Sequence, residues 1–443
     1  MDSDLRQRLL RAIIDDRLVV FCGAGLSMAP PSRVPSAERL AQECGAQYRA
    51  RYGSACDSLP TAAENDLDAL TTHFYARGEL QSVFIDQLFH HSIRPFVRDP
   101  NEGHYAIADF LACGAVRFVV STNVDVLIEL AASDLGERKP EVAIQLAEVA
   151  RVRDHRPHMK LHGCISRNSA ETLWCTDQLS DPPFSNRIDE FHGWLPGELM
   201  GRVLVFVGFW SDWAYLNDVF QRAITDLEPS SIILVNPSAE SVLAEKAPEL
   251  WKWAHGTGVE FNHVQASGAS FLAELRSAYS DWYVRRVFDS ASQAYPKLKG
   301  KQAPDFTSAV PEDNEELYSM RRDLSGTLNE DPVRTKLPTD QMELVGLCHL
   351  QLIERGAVRE GSRYVLNENR IRVVSGAGRL LSSVREKYMA ETPRRVSDSV
   401  VVCVGARDDG HAAANVVRPE PEGNIVRPLS FARWITDADL DEL

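Results

Sequence analysis

The sequence is 443 residues long with 44% hydrophobic and 25% charged residues, which excludes a disordered or fibrous protein and predicts two or three globular domains. Its 63 acidic and 48 basic residues give a formal net charge of −15, which disfavours extensive non-specific binding to nucleic acid. No run approaches the roughly 18 consecutive apolar residues of a transmembrane helix, and the first residues lack a signal-peptide core, so we predict a cytoplasmic protein without a membrane segment.

Residues 1–290 alternate short apolar runs with longer amphipathic stretches, a pattern typical of a parallel sheet covered by helices on both faces. The predicted strands are Leu18–Phe21, Val116–Ser121, Met159–Leu161, Val203–Val207, Ile232–Val235 and Glu260–Val264. The predicted helices include Asp4–Ile14, Tyr105–Leu111, Val126–Ala132, Trp213–Leu227 and Phe271–Tyr279. Residues 45–100 contain no strand-like run and predict a small helical module. The expected fold class is therefore α/β, with a Rossmann-like parallel sheet.

The first predicted strand leads directly into a glycine turn, Cys22-Gly23-Ala24-Gly25-Leu26-Ser27. Glycines let backbone N–H groups approach an anion closely, and a following helix N-terminus adds partial positive charge. The run matches neither the dinucleotide-binding pattern Gly-x-Gly-x-x-Gly nor the phosphate-binding loop of nucleoside triphosphatases. It is therefore either a phosphate-binding turn or a plain structural turn.

Two further polar groups also follow predicted strands. Ser121-Thr122-Asn123-Val124-Asp125 ends one strand, where Asn123 and Asp125 either face a ligand or form an Asx turn that caps the next helix. Lys160-Leu161-His162-Gly163 ends another, and His162 is either a structural histidine or a base that works near neutral pH. Three polar groups at three strand ends predict one site at one edge of the sheet.

Together, and in this order, these groups resemble the motifs of the Sir2 (sirtuin) superfamily. Val34-Pro35-Ser36 resembles the proline loop of that family, and Pro100-Asn101-Glu102-Gly103-His104 resembles its Pro-Asn-x-x-His segment. Gly208 with Ser211, and Asn236 after a later strand, resemble the positions that hold the adenosine half of NAD. The resemblance covers about residues 10–285.

The resemblance implies a Rossmann-like domain that binds NAD+. It implies that His162 is the base acting on the nicotinamide ribose hydroxyls and that Asn123 positions ribose and water. Asp125 would either stabilise developing positive charge or fix Asn123 by hydrogen bonding. The implied NAD-binding residues are Gly23, Ala24, Gly25, Ser27, Pro35, Thr122, Asn123, Asp125, Gly208, Ser211 and Asn236.

The chain departs from the protein-deacylating sirtuins at three places. Those enzymes usually carry a four-cysteine zinc module, whereas residues 163–203 contain only Cys164 and Cys175. Ser36-Ala37-Glu38 replaces the usual Asp-Phe-Arg after the proline, and Ser211 lies one residue further from Gly208 than in the usual Gly-x-Ser. We therefore predict no zinc and a closer resemblance to the Sir2-like effector domains of bacterial antiphage defence proteins, which deplete NAD.

The predicted function is accordingly that of an NAD+ hydrolase (NADase), with NAD+ as substrate. The alternatives are an NAD-dependent protein deacylase and a non-catalytic module that senses NAD or ADP-ribose. Trp210 and Trp213 either stack on a base of the ligand or pack in the protein. The resemblance implies a homo-oligomer, and as partners a HerA-type ATPase, a prokaryotic Argonaute or a phage-derived trigger.

The C-terminal part of the sequence has a different pattern. Residues 291–340 are polar and predict a linker, so we assign 1–290 to the catalytic domain and 341–443 to a regulatory or oligomerisation domain. A helix at Gln341–Gly356 followed by strands at Ser362–Leu366 and Arg370–Val374 predicts an α+β domain with the outline of a winged helix. The arginine-rich stretch 355–379 either contacts phosphate, as in nucleic acid, or forms a solvated basic face. One more strand is predicted at Val400–Val404.

Overall fold

The computed structural model describes most of the chain in two compact units, Met1–Leu275 and Arg276–Leu443. None of the helices it describes is both long and apolar enough to cross a membrane. The described residues are 1–53, 59–93, 99–135, 142–152, 157–167, 169–225, 231–256, 259–326, 336–391, 398–407 and 432–442.

The first unit is built on a parallel sheet of seven strands. The strands are β1 Leu18–Cys22, β2 Phe118–Ser121, β3 Val142–Ala143, β4 His158–Lys160, β5 Val203–Val207, β6 Ser231–Val235 and β7 Phe261–Val264. Their order across the sheet is β3-β4-β2-β1-β5-β6-β7. Strands β1, β5 and β6 are buried along their whole length, as expected where helices cover both faces. The Rossmann-like sheet and its six predicted strands are confirmed.

Helices of the first unit fill the connections between strands. Those of the sheet layers are α1 Ser3–Ile14, α2 Ala24–Ser27, α6 Glu102–Cys113, α7 Leu127–Asp134, α8 Leu146–Val152, α9 Pro182–Leu199, α10 Ala214–Thr225, α11 Glu240–Lys246 and α12 Pro248–Ala254. Helix α13, Gly268–Lys299, begins in the first unit, and most of its length belongs to the second. Helix α13 is much longer than the predicted Phe271–Tyr279, because buried aromatic and aliphatic residues continue to Tyr295. The last residues of the predicted helix Trp213–Leu227 lie outside the described part of the chain.

The small helical module predicted for residues 45–100 is present and begins earlier, at α3 Ala37–Tyr52. It continues through α4 Leu67–Ala76, a π-helix at Leu80–Phe89 and α5 His90–Ile93. These helices enclose their own apolar core, to which Trp174 also contributes. Val34, Val124 and Ile165 pack against that core. The module therefore lies beside the segments that follow β1, β2 and β4.

The strand register brings the predicted polar groups to one edge of the sheet. Cys22 at the end of β1 pairs with Ser121 on one side and with Val207 on the other, and Ser121 pairs with Lys160. After β1 the next strand in the chain, β2, is added on one side of the sheet. After β5 the next strand, β6, is added on the other side. The boundary between β1 and β5 is thus a topological switch point, where open α/β sheets bind their ligands.

The second unit contains a smaller mixed sheet. Its strands are β8 Val358–Glu360, β9 Arg363–Leu366, β10 Asn369–Ser375, β11 Val400–Val404 and β12 Arg433–Thr436, and its helices include α14 Asn314–Ser325, α15 Asp340–Glu354 and α16 Leu381–Glu391. The predicted helix and hairpin correspond to α15, β9 and β10, so the α+β class is confirmed. However, β10 pairs in parallel with β11, and β11 with β12. The hairpin is therefore the centre of a sheet rather than the wing of a winged helix.

The stretch predicted as a linker, residues 291–340, contains folded structure where it is described. Helix α14 buries Leu317, Met320 and Leu324, and α13 extends to Lys299. Asp331-Pro332 lies outside the described residues. The functional bounds 1–290, 291–340 and 341–443 stay predictions.

The arginine-rich stretch of the second unit is largely neutralised within the fold. Arg363 is buried and its Nη1 lies 3.1 Å from Asp323, while its Nε lies 3.1 Å from Asp398. Arg372 binds Asp323 through Nη2 at 2.5 Å. Burial alone would raise the pKa of Asp323, but Arg372 and Arg363 outweigh it and lower that pKa. These two arginines therefore form neither a solvated basic face nor a phosphate contact.

Candidate active site at the carboxyl edge of the parallel sheet

The glycine turn after β1 packs directly on the turn after β5. Gly23 N–H donates to Val207 O at 3.1 Å, and Gly25 N–H donates to Gly208 O at 2.9 Å. A Cβ on Gly23 would lie 2.8 Å from Gly208 O, and one on Gly208, where φ is +62°, would lie 2.1 Å from the nitrogen of Leu26. The two turns approach so closely that a side chain would not fit at these positions, which explains why glycine stands there. The N–H groups of Gly23 and Gly25 are bonded within the protein by this contact. Ala24 and Gly25 are nevertheless exposed at this edge.

Ser27 is the centre of a buried hydrogen-bond network at the end of the turn. Its hydroxyl donates to Asp125 Oδ2 at 2.9 Å. It accepts from Asn123 Nδ2, which lies 3.1 Å away and also donates to Gly23 O at 3.1 Å. Because a carbonyl oxygen only accepts, this second bond identifies the Asn123 atom as the amide nitrogen. The network joins the segments after β1 and β2.

His104 contributes the remaining bond to Ser27. The backbone N–H of Asn101 donates to His104 Nδ1 at 3.1 Å, so the proton of the neutral ring is on Nε2. His104 Nε2 lies 3.1 Å from Ser27 Oγ and donates to it. Burial lowers the pKa of His104 to about 4, so the ring is neutral at physiological pH. The Asn101-to-His104 segment thereby fixes the direction of the bond between His104 and Ser27.

Asp125 serves two hydrogen bonds at once. Its Oδ1 accepts from Leu127 N–H at 3.0 Å, which is the Asx turn expected at the start of α7. Its Oδ2 accepts from Ser27, which in turn accepts from Asn123. Asp125 therefore restrains Asn123 indirectly, through the serine hydroxyl. The side chain is buried, while Asn123 is half-buried.

A buried ion pair lies beneath this network. Lys160, only 1% exposed, has its ammonium nitrogen 2.6 Å from Glu129 Oε1 and also donates to Asp125 O. Burial alone would lower the pKa of Lys160, but the charges of Glu129, Cys164 and Asp125 outweigh burial and raise it. Lys160 is thus a permanent cation that ties β4 to α7 and to the Asp125 backbone.

His162, the predicted base, lies two residues after the end of β4 and is buried. Its Nε2 is 2.8 Å from the Tyr215 hydroxyl, and its ring meets Trp213 edge-on, with 4.6 Å between ring centroids. Burial, and after it the charge of Arg187, lowers the pKa of His162 to about 3. Burial raises the pKa of Tyr215, so its hydroxyl keeps its proton. His162 is therefore a neutral, weakly basic imidazole that is hydrogen-bonded to a phenol.

The two tryptophans after β5 differ. Trp210 is buried in the sheet core and donates from Nε1 to Leu243 O at 2.9 Å, so it packs in the protein. Trp213 is half-buried and touches His162. Between them, both carboxylate oxygens of Asp212 accept backbone N–H bonds from Glu249 and Leu250, which fixes the loop to α12.

The remaining predicted residues lie at the same edge of the sheet. Thr122 donates its N–H to Cys22 O at 3.1 Å, and Pro35 is buried. Ser211 is half-buried in the loop after β5. Asn236 follows β6, where its Oδ1 accepts from Ser238 N–H at 2.9 Å. The predicted residues thus lie in the segments that follow β1, β2, β5 and β6, and His162 lies in the segment that follows β4.

The donor set for a zinc module is not present between β4 and β5. Lys160 donates to Cys164 Sγ at 3.4 Å, and Cys175 Sγ donates to Gln178 Oε1 at 3.7 Å. Both cysteines are buried in separate local structures. Within the described ranges, no group of three or more His, Cys, Asp or Glu residues is placed to hold a metal ion. These residues do not fit a structural zinc site.

Several residues of the site are not identifiable from sequence patterns. Tyr215, Arg187 and Glu129 lie in predicted helices or between elements and carry no motif. The Asn101-to-His104 segment resembles a Sir2 motif, but no local pattern indicates the bond from His104 to Ser27, which lies 77 positions away. Only the fold brings these side chains to the strand ends.

The fold and the site define an α/β protein with a polar site at the switch point of a parallel sheet. Over 210 residues, the chain is 27% identical to the NAD(+) hydrolase ThsA of Cytobacillus dafuensis. The match covers 46% of this chain but 37% of ThsA, so the chain spans little more than a third of that protein. No protein-family model matches the sequence. The similarity supports the resemblance to a Sir2-like NAD-hydrolysing domain.

Solved Sir2 structures also align with the chain. A Sir2 homologue in complex with NAD is 15% identical and aligns over 61% of this chain and 91% of its own, with a TM-score of 0.35. A Sir2 structure with a p53 peptide and NAD+ is 13% identical. It aligns over 62% of this chain and 97% of its own, with a TM-score of 0.33. The fold itself is established by the strand order and register given above.

Proposed function

We propose that this chain is a Sir2-like NAD+ hydrolase that releases nicotinamide and ADP-ribose. The observation that carries the proposal is the convergence of three motif groups at adjacent strand ends, beside the β1–β5 switch point. The glycine turn, the Asn123–Ser27–Asp125 network and His162 come from three strands that are neighbours in the sheet. The similarity to ThsA, which is named as an NAD(+) hydrolase, supports this assignment.

The reaction asks little of the protein chemically. The bond between ribose C1′ and the nicotinamide nitrogen breaks, and its electron pair neutralises the pyridinium ring, so the leaving group needs no proton. Water then adds to the oxocarbenium-like C1′, and one proton is released. The site must therefore hold the ribose, place one water and accept one proton.

We assign the orienting role to Asn123. Its amide nitrogen is held by Gly23 O and Ser27 Oγ, so its carbonyl oxygen is presented in one orientation. Ser27 is itself fixed by Asp125 and His104. Such a restrained network keeps a polar group in place without reorganisation during the reaction. Asp125 is linked to Asn123 through the Ser27 hydroxyl. From there, its side chain would stabilise the positive charge that develops on the ribose.

We assign the role of proton acceptor to His162. The ring is neutral at pH 7, because burial and Arg187 hold its pKa near 3. We assign the ring proton to Nε2, which donates to the Tyr215 oxygen and leaves the Nδ1 lone pair free to accept a proton. A weak base is adequate here, because water attacking an oxocarbenium-like carbon becomes strongly acidic as the bond forms. The Tyr215 hydroxyl restrains the ring through Nε2.

The rest of the NAD molecule would lie along the same edge. The exposed Ala24 and Gly25, with Gly23, Pro35 and Thr122, would border the nicotinamide ribose and the phosphates. Gly208, Ser211 and Asn236, beyond the switch point, would border the adenosine half. No zinc is required for this chemistry, and we propose that the protein holds none.

We propose an antiphage defence role for this activity, because depletion of a shared cofactor harms the cell unless it is restricted to infection. The protein would act in the cytoplasm as a homo-oligomer. Residues 341–443 would regulate or assemble it. A HerA-type ATPase, a prokaryotic Argonaute or a phage-derived trigger would release the activity.

The test is incubation of the purified protein with NAD+, following nicotinamide and ADP-ribose with and without an acetylated peptide. A hydrolase releases both products in equal amounts without the peptide. Turnover that requires the peptide would instead identify a deacylase. Tight binding of NAD+ or ADP-ribose without nicotinamide release, with every tested trigger, would identify a sensor.

A further inference from the structure

Arg187 in α9 is a buried cation whose hydrogen bonding is incomplete. The residue is 6% exposed. Its Nη1 donates to Glu171 O at 2.8 Å, and its guanidinium carbon lies 5.2 Å from the centre of the Phe184 ring. Its Nε and Nη2 are buried and have no hydrogen-bond partner among the described residues. Unpaired buried polar groups are rare, and an unpaired buried charge is strongly unfavourable.

This guanidinium lies beside the proposed proton acceptor. The Glu171 carbonyl that holds Nη1 is so close to the backbone after His162 that a Cβ on Gly163 would lie 2.9 Å from it. Two residues along from Glu171, Leu173 N–H donates to His162 O at 2.9 Å. The charge of Arg187 also contributes to the low pKa of His162. Arg187 is therefore part of the site at the end of β4.

The two unpartnered groups are on the same edge of the guanidinium. The same edge in Arg372 holds a carboxylate with two bonds, from Nε to Asp323 Oδ2 at 2.9 Å and from Nη2 to Asp323 Oδ1 at 2.5 Å. Such paired bonds from arginine are the usual way to bind a carboxylate or a phosphate. Arg187 thus holds, close to His162, two buried N–H groups in the same arrangement as the pair with which Arg372 binds Asp323.

We propose that Arg187 binds a phosphate group of the dinucleotide substrate through Nε and Nη2. This assignment rests on the proposed function. The phosphates are the only anionic groups of NAD+, and its ribose hydroxyls, adenine and carboxamide are neutral. A negatively charged, two-oxygen acceptor is what a buried guanidinium with two parallel free N–H groups requires.

Binding of the phosphate would also change His162. An anion on Arg187 removes the positive charge that now opposes protonation of the ring, so the pKa of His162 rises when substrate is bound. The base would then be strongest when the phosphate is in place. Fragments of the substrate without phosphate would not obtain this effect.

The binding test compares Arg187→Gln, Arg187→Lys and the wild type by calorimetric titration with ADP-ribose, and separately with nicotinamide riboside. Arg187→Gln should weaken ADP-ribose binding about 10- to 100-fold, the usual size of a charge-assisted hydrogen-bond pair. Arg187→Lys keeps the charge but not the paired N–H groups, so its affinity for ADP-ribose should lie between those of the wild type and Arg187→Gln. Nicotinamide riboside should bind all three alike. Arg39→Gln, at an exposed arginine paired with Glu43, is the matched control and should change nothing.

Thermal unfolding without ligand gives an independent readout. Because Arg187 is unpaired, Arg187→Met should unfold at a higher temperature than the wild type, although it should gain less from added ADP-ribose. A lower unfolding temperature together with unchanged ADP-ribose affinity would overturn the proposal and give Arg187 a purely structural role. If the wild type neither binds ADP-ribose nor releases nicotinamide from NAD+, the proposed function fails, and titration with inorganic phosphate tests the Arg187 site by itself. If the wild type binds phosphate and Arg187→Gln does not, the Arg187 site is supported. If both bind phosphate equally, or if neither binds it, the proposal is overturned.

Discussion

Gly208 is the position where the smallest substitution should have a large effect. A Cβ added there would lie 2.1 Å from the Leu26 nitrogen and 2.9 Å from Gly25 Cα, and its φ of +62° is unfavourable for any side chain. Both neighbours are backbone atoms, which cannot rotate away as a side chain can. Gly208→Ala should therefore force apart the two turns that meet at the switch point.

The expected magnitude follows from these contacts. Overpacking typically costs about 1–3 kcal/mol, and a left-handed conformation adds about 1–2 kcal/mol for a residue with a Cβ. With backbone on both sides, the upper part of each range applies, giving about 4 kcal/mol. In a unit of this size, 1 kcal/mol shifts Tm by roughly 2–4 °C, so Tm should fall by roughly 8–16 °C.

Calorimetry on Gly208→Ala and Gly193→Ala tests this reasoning. Gly193 is exposed inside α9 and an added Cβ meets nothing within 4 Å, so the control should be stabilised by about 0.5–1 kcal/mol. ADP-ribose affinity should fall for Gly208→Ala and stay unchanged for the control. A Gly208→Ala protein with the Tm and ADP-ribose affinity of the wild type would refute the close packing of the two turns.

Lys160→Met should destabilise the protein by about 3–5 kcal/mol in denaturant unfolding, because it leaves Glu129 charged and buried, and adding Glu129→Leu should recover part of the loss. Acid should also destabilise the fold: His104 and His162 have pKa values of about 4 and 3 when folded but about 6.5 when unfolded, so the unfolded chain binds more protons. The unfolding free energy should therefore fall from pH 6.5 towards pH 4, by about 1.4 kcal/mol per pH unit for each histidine, and His104→Asn should reduce that slope. Metal analysis should find no stoichiometric zinc, and chelators should leave Tm unchanged; one tightly held zinc per chain would contradict the interpretation of residues 163–203.

The sheet was predictable because each of its long strands is a continuous apolar run that ends in polar or glycine-rich residues. Parallel pairing then places all the carboxyl ends together, so the glycine turn, Asn123 and His162 could be assigned to one edge. Strand β3 was not predictable, because two residues make no pattern. Helix α9 was missed because its prolines and mixed polarity hide the apolar stripe that packs on the sheet.

The site was less predictable where partners come from distant segments. The sequence leaves two roles open for Asp125, and the structure shows the helix cap together with an indirect restraint on Asn123 through Ser27. The low pKa of His162 depends on its burial and on Arg187, neither of which has a local signature. In the second unit, Asp323 comes from outside the arginine-rich stretch, so a local charge count could not reveal its pairing with Arg372.

The central claim is that this site hydrolyses NAD+ with His162 as proton acceptor. The most direct measurement is nicotinamide release from NAD+ by the wild type and by His162→Ala, each under conditions that activate the wild type, with ADP-ribose binding as the check on folding. Removal of a positioned base should lower the rate about 10²- to 10⁴-fold while ADP-ribose still binds. Release by His162→Ala at the rate of the wild type would contradict the account.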